Sequence, residues 1–348
     1  MSGAVTGIDR EPVTRWLAER VSLEAPLEFD LVAHGRSNLT FIVTDAGANT
    51  WVLRRPPMGQ VLASAHDMAR EHRIIAALKD SGVPVPGIVG MCTDESVNGA
   101  PFYVMDFVEG SILKSAEDTQ PFSLDQRRAM SESLVDTMAV LHRVDPDEVG
   151  LGDLGKKSDY LARQLRRWTR QLAEGSDRDV PLFDDLATRL AAAMPAQQGS
   201  GIVHGDYRLD NCMIGPDNTV VAVLDWELCT LGDVLADLGG MLMWWGDPTA
   251  TAHPMADVPT RADGFLNPDE VVSRYATMTD RDLSALPYYV SFQFWRLAAI
   301  IEGVRVRFAG GAMGDKDIGD ESAGFEARID ALLHESDRIL RTLGPRLS

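Results

Sequence analysis

Two short clusters carry residue types suited to chemistry. One is His204-Gly205-Asp206-Tyr207-Arg208-Leu209-Asp210-Asn211; the other is Leu224-Asp225-Trp226-Glu227. Phosphoryl transfer asks little covalent chemistry of a protein. It needs an aligned nucleophile and compensation for phosphate charge. Asp206 is placed to accept the proton of an acceptor hydroxyl. Asn211 and Asp225 are hard oxygen donors suited to Mg2+ held between protein and phosphates. Arg208 can bring positive charge to the transferring group. Either cluster alone could be a set of turn caps. Together, with Asp206 and Asp225 19 positions apart across an expected hairpin, they point to a catalytic site.

The elements that must hold these residues follow from pattern. Ile202-Val203 is a short apolar strand, and the loop after it carries Asp206 and Asn211. Residues 212–214 and 220–224 read as strands joined by the turn Pro216-Asp217-Asn218, which brings the chain back to Asp225. Asp233 and Asp237, one helical turn apart, read as residues that cap a helix and hold the catalytic loop from behind. Upstream, a helix is expected over 9–23, started by Asp9 and Pro12. Strands are expected over 29–33, 39–44 and 51–54, a helix over 68–78, and strands over 88–92 and 102–107. Beyond Gly110 the pattern turns helical: 123–142, with Ser123 and Gln126 spaced as a capping box, then 158–173, 233–245, 286–308 and 323–343. Segments 247–264 and 310–322, rich in Gly, Pro, Thr and Asp, read as mobile. The fold class is α+β.

Composition narrows the possibilities. At 348 residues the chain is long enough for two lobes. Its net charge of −19 disfavours nucleic acid and anionic membrane as partners. No apolar run approaches the roughly 20 residues needed to span a bilayer, and no signal peptide is visible. Cys92, Cys212 and Cys229 form neither a zinc pattern nor a disulfide framework, which fits a cytoplasmic protein.

The His-Gly-Asp…Asn run with Leu-Asp-Trp-Glu resembles the aminoglycoside phosphotransferase and choline kinase group, which has the protein-kinase-like fold. Further motifs are similar to the branch that in animals is fused to acyl-CoA dehydrogenases. They include Gly35-Arg36-Ser37-Asn38, Val52-Leu53-Arg54-Arg55-Pro56-Pro57, Arg70-Glu71-His72, Pro84-Val85-Pro86 and Val104-Met105-Asp106-Phe107-Val108-Glu109-Gly110. The resemblance spans about residues 25–310. It implies a small N-terminal lobe, an antiparallel sheet with one helix, that binds nucleotide over residues 1–108. A larger, mainly helical lobe over 109–348 would carry catalysis and acceptor binding. It implies Asp206 as catalytic base, Asn211 and Asp225 as metal ligands, and ATP or GTP as phosphate donor. Glu71 matches the acid that pairs with a strand cation on the α- and β-phosphates. That cation is Arg54, with Arg55 as the alternative, where protein kinases carry lysine. Backbone donors of Ser37 and Asn38 would meet phosphate, and Asp106 to Val108 would meet the adenine edge.

The phosphate acceptor is a small molecule with a hydroxyl group. Arg163, Arg166, Arg167 and Arg170 form a basic stripe at helical spacing, which favours an anionic acceptor over a cationic drug. The fusion points to a hydroxyacyl-CoA. Trp244, Trp245, Phe292 and Trp295 are candidates for an apolar wall, or else plain core. The rivals are a kinase that inactivates an aminoglycoside or macrolide, and a nucleotide-binding pseudokinase. A protein kinase is disfavoured, because Asp225-Trp226-Glu227 stands in place of Asp-Phe-Gly and no activation segment follows.

Overall fold

The computed structural model describes residues 5–33, 38–58, 67–176, 178–246, 257–309 and 318–343. The chain divides into two compact units. The first comprises Met1–Ser111 and Met213–Leu228; the second comprises Ile112–Cys212 and Cys229–Ser348.

The first unit opens with α1 (Arg10–Ala18), then β1 (Glu28–Ala33), β2 (Leu39–Thr44), β3 (Thr50–Arg55), α2 (Met68–Leu78), β4 (Ile88–Cys92), the single turn α3 (Glu95–Asn98) and β5 (Phe102–Asp106). The strands form one antiparallel sheet in the order β1-β2-β3-β5-β4. One sheet face is covered by α1, whose Val13, Trp16 and Leu17 join Phe29, Phe41, Trp51, Leu53 and Phe102 in a buried cluster. α1 stops short of residue 23. Its last turn is closed by Arg20, whose guanidinium lies 3.9 Å from the Trp16 ring and donates to Trp16 O.

Strand alternation in β3 decides where its arginines go. Trp51, Leu53 and Arg55 are buried together, while Val52 and Arg54 take the other face. Arg55 donates to Gly7 O and to Asn98 O. Arg54 lies opposite Tyr103 of β5, over α2.

In the second unit, α4 (Leu124–Leu141) begins with the expected capping box of Ser123 and Gln126. There follow α5 (Tyr160–Gly175), α6 (Pro181–Ala193) and β6 (Gly201–Val203). β7 (Cys212–Ile214) and β8 (Val220–Val223), which from Met213 on belong to the first unit, pair as the expected hairpin, closed by Gly215 N to Thr219 O at 2.8 Å. β9 (Thr230–Gly232) pairs antiparallel with β6 and was not expected. The helical part then continues with α7 (Leu235–Trp245), α8 (Pro268–Met278), α9 (Leu286–Ala309) and α10 (Ile318–Arg341).

Helices α6 and α8 went unread. Both begin with Pro at the first helical position, and α8 also has a capping box of Asn267 and Glu270. Residues 318–322 lie in a helix, because α10 extends back to Ile318. Pro259–Arg261 forms a short 3-10 turn whose Pro259 and Thr260 are buried. Residues 247–256 and 310–317 of those two segments lie outside the described residues. No described helix is long and apolar enough to cross a membrane.

Candidate active site

Each unit carries its own set of charged side chains. In the second unit, the buried strand β6 runs into the loop His204–Arg208. Gly205 has φ +88°, a left-handed conformation that a side chain would strain. The loop is tied down from behind. The buried Asp237 carboxylate accepts His204 N at 2.6 Å and Gly205 N at 2.8 Å. Tyr207, also buried, donates its hydroxyl to Leu134 O at 2.8 Å. Asp233 accepts from Leu235 N and from Tyr289 Oη; it lies one residue ahead of Val234, the N-cap of α7, which has no side-chain cap bond.

With its backbone fixed, the loop turns Asp206 outward. Asn211 Nδ2 donates to Asp206 O at 2.8 Å and to Asp206 Oδ2 at 2.9 Å. Arg208 Nε lies 3.3 Å from Asp206 Oδ1, and its Nη1 lies 2.8 Å from Asp210 Oδ2. The Arg208 guanidinium also rests 4.3 Å from the centre of the Trp244 ring. Asp206 is thus aimed by an amide and a guanidinium, and its side chain stays about a third exposed, at 30%. Burial raises the Asp210 carboxyl above the usual carboxylate range, Arg208 pulls it down and Asp206 pushes it up. Asp210 and Trp244 had not been recognised as partners of Arg208. The sequence holds Asp210 within the motif, but only the fold shows which way it faces.

A cavity of 610 Å³ opens beside this loop within the second unit. Its lining combines the cations Lys114, Arg208 and Arg328 with Trp244, Trp245 and Asp257. The arginines of α5 do not line it. Arg163 is spent on Lys156 O, and Arg167 lies 5.2 Å from the Trp168 ring. Of the aromatic candidates, Phe292 and Trp295 belong to the core; Trp295 donates to Phe183 O.

In the first unit, Arg54 Nε donates to Glu71 Oε2 at 3.1 Å, and Arg54 Nη2 lies 3.0 Å from Glu71 Oε1 and 2.8 Å from Asp225 Oδ1. The alternative, Arg55, faces away. Burial raises the Glu71 carboxyl, opposed by the Arg54 charge. Burial alone would lower the Arg54 pKa, but the charges of Glu71 and Asp225 outweigh it and leave the group raised. Asp225 has φ +63°, rare for a residue with a side chain. Trp226 anchors it, fully buried with its indole N–H on Val223 O at 3.0 Å.

Of the residues expected at the nucleotide, Asn38 is buried, Met105 is buried, Asp106 is exposed at the end of β5 and Val108 is half-buried. Asp106 N donates to Gly87 O at 2.8 Å. Gly35, Arg36 and Ser37 lie outside the described residues.

Among the described residues, no group of three or more His, Cys, Asp or Glu side chains is arranged to hold a metal by itself. Of the two expected metal ligands, Asp225 belongs to the first unit and Asn211 to the second. Because Asn211 Nδ2 is committed to Asp206, its amide oxygen is the function left to bind a cation. Few, hard oxygen donors fit Mg2+, which keeps waters and takes phosphate oxygens as ligands.

Residues 28–265 match the sequence model of the phosphotransferase enzyme family. The chain belongs to that family. It is 35% identical to mouse acyl-CoA dehydrogenase family member 10 over 288 residues, which is 81% of this chain but 27% of that protein. A solved Ralstonia eutropha structure, provisionally described as an aminoglycoside phosphotransferase, is 31% identical with a TM-score of 0.80, covering 95% of this chain and 98% of its own. Choline kinase from Cryptosporidium parvum is 12% identical with a TM-score of 0.65, covering 96% and 97%, a likeness of fold. The fold is the two-lobed, protein-kinase-like one. The chain is an aminoglycoside-phosphotransferase-like enzyme, of the class that phosphorylates alcohol groups.

Proposed function

We propose that this phosphotransferase moves the γ-phosphate of ATP, or GTP, onto the hydroxyl of a small anionic acceptor, a hydroxyacyl-CoA. The observation that carries the reading is the Asp206 carboxylate, oriented by Asn211 and Arg208 beside a cavity with both aromatic and cationic lining. Asp206 takes the acceptor's proton as the hydroxyl oxygen bonds to the γ-phosphorus. The bond from that phosphorus to the bridging oxygen breaks, and the nucleoside diphosphate leaves with the electron pair. Arg208 offsets charge on the phosphoryl group in flight. Arg54, held by Glu71, takes α- and β-phosphate oxygens. Ser37 and Asn38 supply backbone donors, and Asp106 and Val108 meet the base. Asn211 and Asp225 would hold Mg2+, which when bound would neutralise phosphate charge.

The acceptor class rests on Lys114, Arg208 and Arg328 with the Trp244 face. Against the carboxylates Asp210 and Asp257 the lining keeps one more cation than anion, and with the aromatic wall that suits an acyl chain carrying an anion better than a polycationic aminoglycoside. A relative named as an acyl-CoA dehydrogenase family member, of which this chain spans 27%, lends the same direction. The rival, an antibiotic kinase, draws on the Ralstonia neighbour.

The test is conversion of ATP to ADP with Mg2+ by wild type and Asp206→Ala, across hydroxyacyl-CoAs, their free acids, aminoglycosides and macrolides. Turnover is expected with the acyl-CoAs, with a loss of roughly 10²–10⁴-fold in the variant and nucleotide binding retained. Full activity in Asp206→Ala sinks the mechanism. Turnover with a drug alone sinks the acceptor.

A further inference from the structure

We infer that Arg54 is the resident counter-ion of Asp225, and that a divalent cation must compete with it for that carboxylate, so Arg54 sets how tightly the metal is held. The inference rests on the reading of Asp225 as a metal ligand.

Three distances carry it. Arg54 Nη2 is 2.8 Å from Asp225 Oδ1 and 3.0 Å from Glu71 Oε1, while its Nε is 3.1 Å from Glu71 Oε2. The buried Glu71 therefore grips two edges of the guanidinium and turns the shared Nη2 toward Asp225. Both strand and helix fix this aim. Arg54 is opposite Tyr103 in the sheet, and Glu71 is a buried residue of α2. The side chains of Arg54 and Glu71 are 13% and 3% exposed, so neither can leave its partner for water without desolvated charge being stranded. Asp225 is more open, at 32%.

Arginine at this position does what lysine cannot. A guanidinium presents several N–H groups in a fixed plane, enough for a two-point hold on one carboxylate and a third bond to another. An ammonium on a shorter stem is a point charge and would stay with the buried Glu71. Two carboxylates share one cation here, so the cluster keeps a net negative charge that still attracts a metal. A divalent ion then has two routes. At Oδ1 it must displace a charge-assisted hydrogen bond. At Oδ2, which takes no hydrogen bond among the described residues, it sits on the same carboxylate as Arg54 and meets like-charge repulsion. Both routes weaken metal binding while Arg54 stays in place. Phosphate oxygens offer the guanidinium another acceptor. A nucleotide that draws Arg54 away frees Asp225 for the ion, which couples the two ligands with positive cooperativity.

The experiment titrates the full chain with Mn2+ alone, following free ion by electron paramagnetic resonance, for wild type, Arg54→Gln/Glu71→Gln and Arg54→Lys. The double variant removes one positive and one negative charge, so net charge is constant and Glu71 is not stranded. It is expected to bind Mn2+ about ten-fold or more tightly than wild type, the lower end for loss of one charged hydrogen bond. Arg54→Lys is expected to bind several-fold more tightly, and it decides the matter should the double variant not fold. Mn2+ affinity equal to or weaker than wild type in the folded variants overturns the inference. Adding Asp225→Asn to the tighter variant must remove the gain. If Mn2+ binds variants with and without Asp225 alike, the ion lies elsewhere, and the reading of Asp225 as a ligand is what has failed.

Discussion

Replacing Asp237 by asparagine is expected to destabilise the second unit and slow the enzyme while leaving nucleotide affinity in place. The carboxylate is buried and accepts two backbone N–H groups, from His204 at 2.6 Å and Gly205 at 2.8 Å. An isosteric amide keeps one oxygen. Its NH2 must then face the second N–H, a donor against a donor. One hydrogen bond to a charged group, about 1.5–3 kcal/mol, is lost, and a buried N–H is left unsatisfied. We take about 3 kcal/mol as the total. For a unit of 150–250 residues, each kcal/mol moves the midpoint by roughly 2–4 °C, so the thermal transition should fall by roughly 6–12 °C. The same two N–H groups fix the peptide that precedes Asp206. A displacement of about 1 Å there is enough to lower kcat by roughly 10²-fold. Differential scanning calorimetry and steady-state kinetics on the purified variant read both effects. A midpoint within about 1 °C of wild type, or an unchanged kcat, would refute the view that Asp237 holds the catalytic loop.

Trp244→Leu should raise the KM for the acceptor, or lower kcat/KM, by roughly five-fold. It removes the ring 4.3 Å from Arg208, a contact worth about 1 kcal/mol at a partly exposed site; Trp244→Phe should recover most of the loss, and no recovery would mean the ring only fills space. His142 is buried, with Nδ1 2.8 Å from Tyr275 Oη, and burial holds its pKa below the ordinary imidazole value. The unfolded chain therefore takes up this proton first as pH falls. Stability from this group is complete above about pH 6.5 and is lost below it, with a slope of at most about 1.4 kcal/mol per pH unit. The midpoint of wild type should fall from pH 7 to pH 5 more steeply than that of His142→Gln; parallel curves would remove His142 from the account.

Much of the first unit was legible because its strands alternate and its breaks are marked by Pro and Gly. β2, α2 and β4 match the expected residues, and β5 ends one residue early at Asp106, where the backbone turns to bond Gly87 O. The loop after β6 and the hairpin that follows it were legible as well, since Asp206, Asn211 and Asp225 stand out by their spacing across the turn Pro216-Asp217-Asn218. α6 and α8 were missed although Pro181, Pro268 and Asn267 mark their starts. β9 is three residues long, too short for any periodicity, and is a strand only because β6 lies beside it.

What sequence alone determined is local: which residues carry charge, which alternate, and where the chain must turn. Those depend on neighbours a few bonds away. What tertiary structure decided depends on residues far apart in the chain. Alternation gave Arg54 and Arg55 opposite faces, but only packing of α2 on the sheet put Glu71 beside Arg54 and Asp225 within 2.8 Å of it, 171 positions along. The basic stripe of α5 was correctly read as a stripe. Where it points was set by helix packing, and the cations of the cavity come instead from Lys114, Arg208 and Arg328. A side chain's type is a property of its position in sequence, whereas its partner is a property of the space that folding encloses.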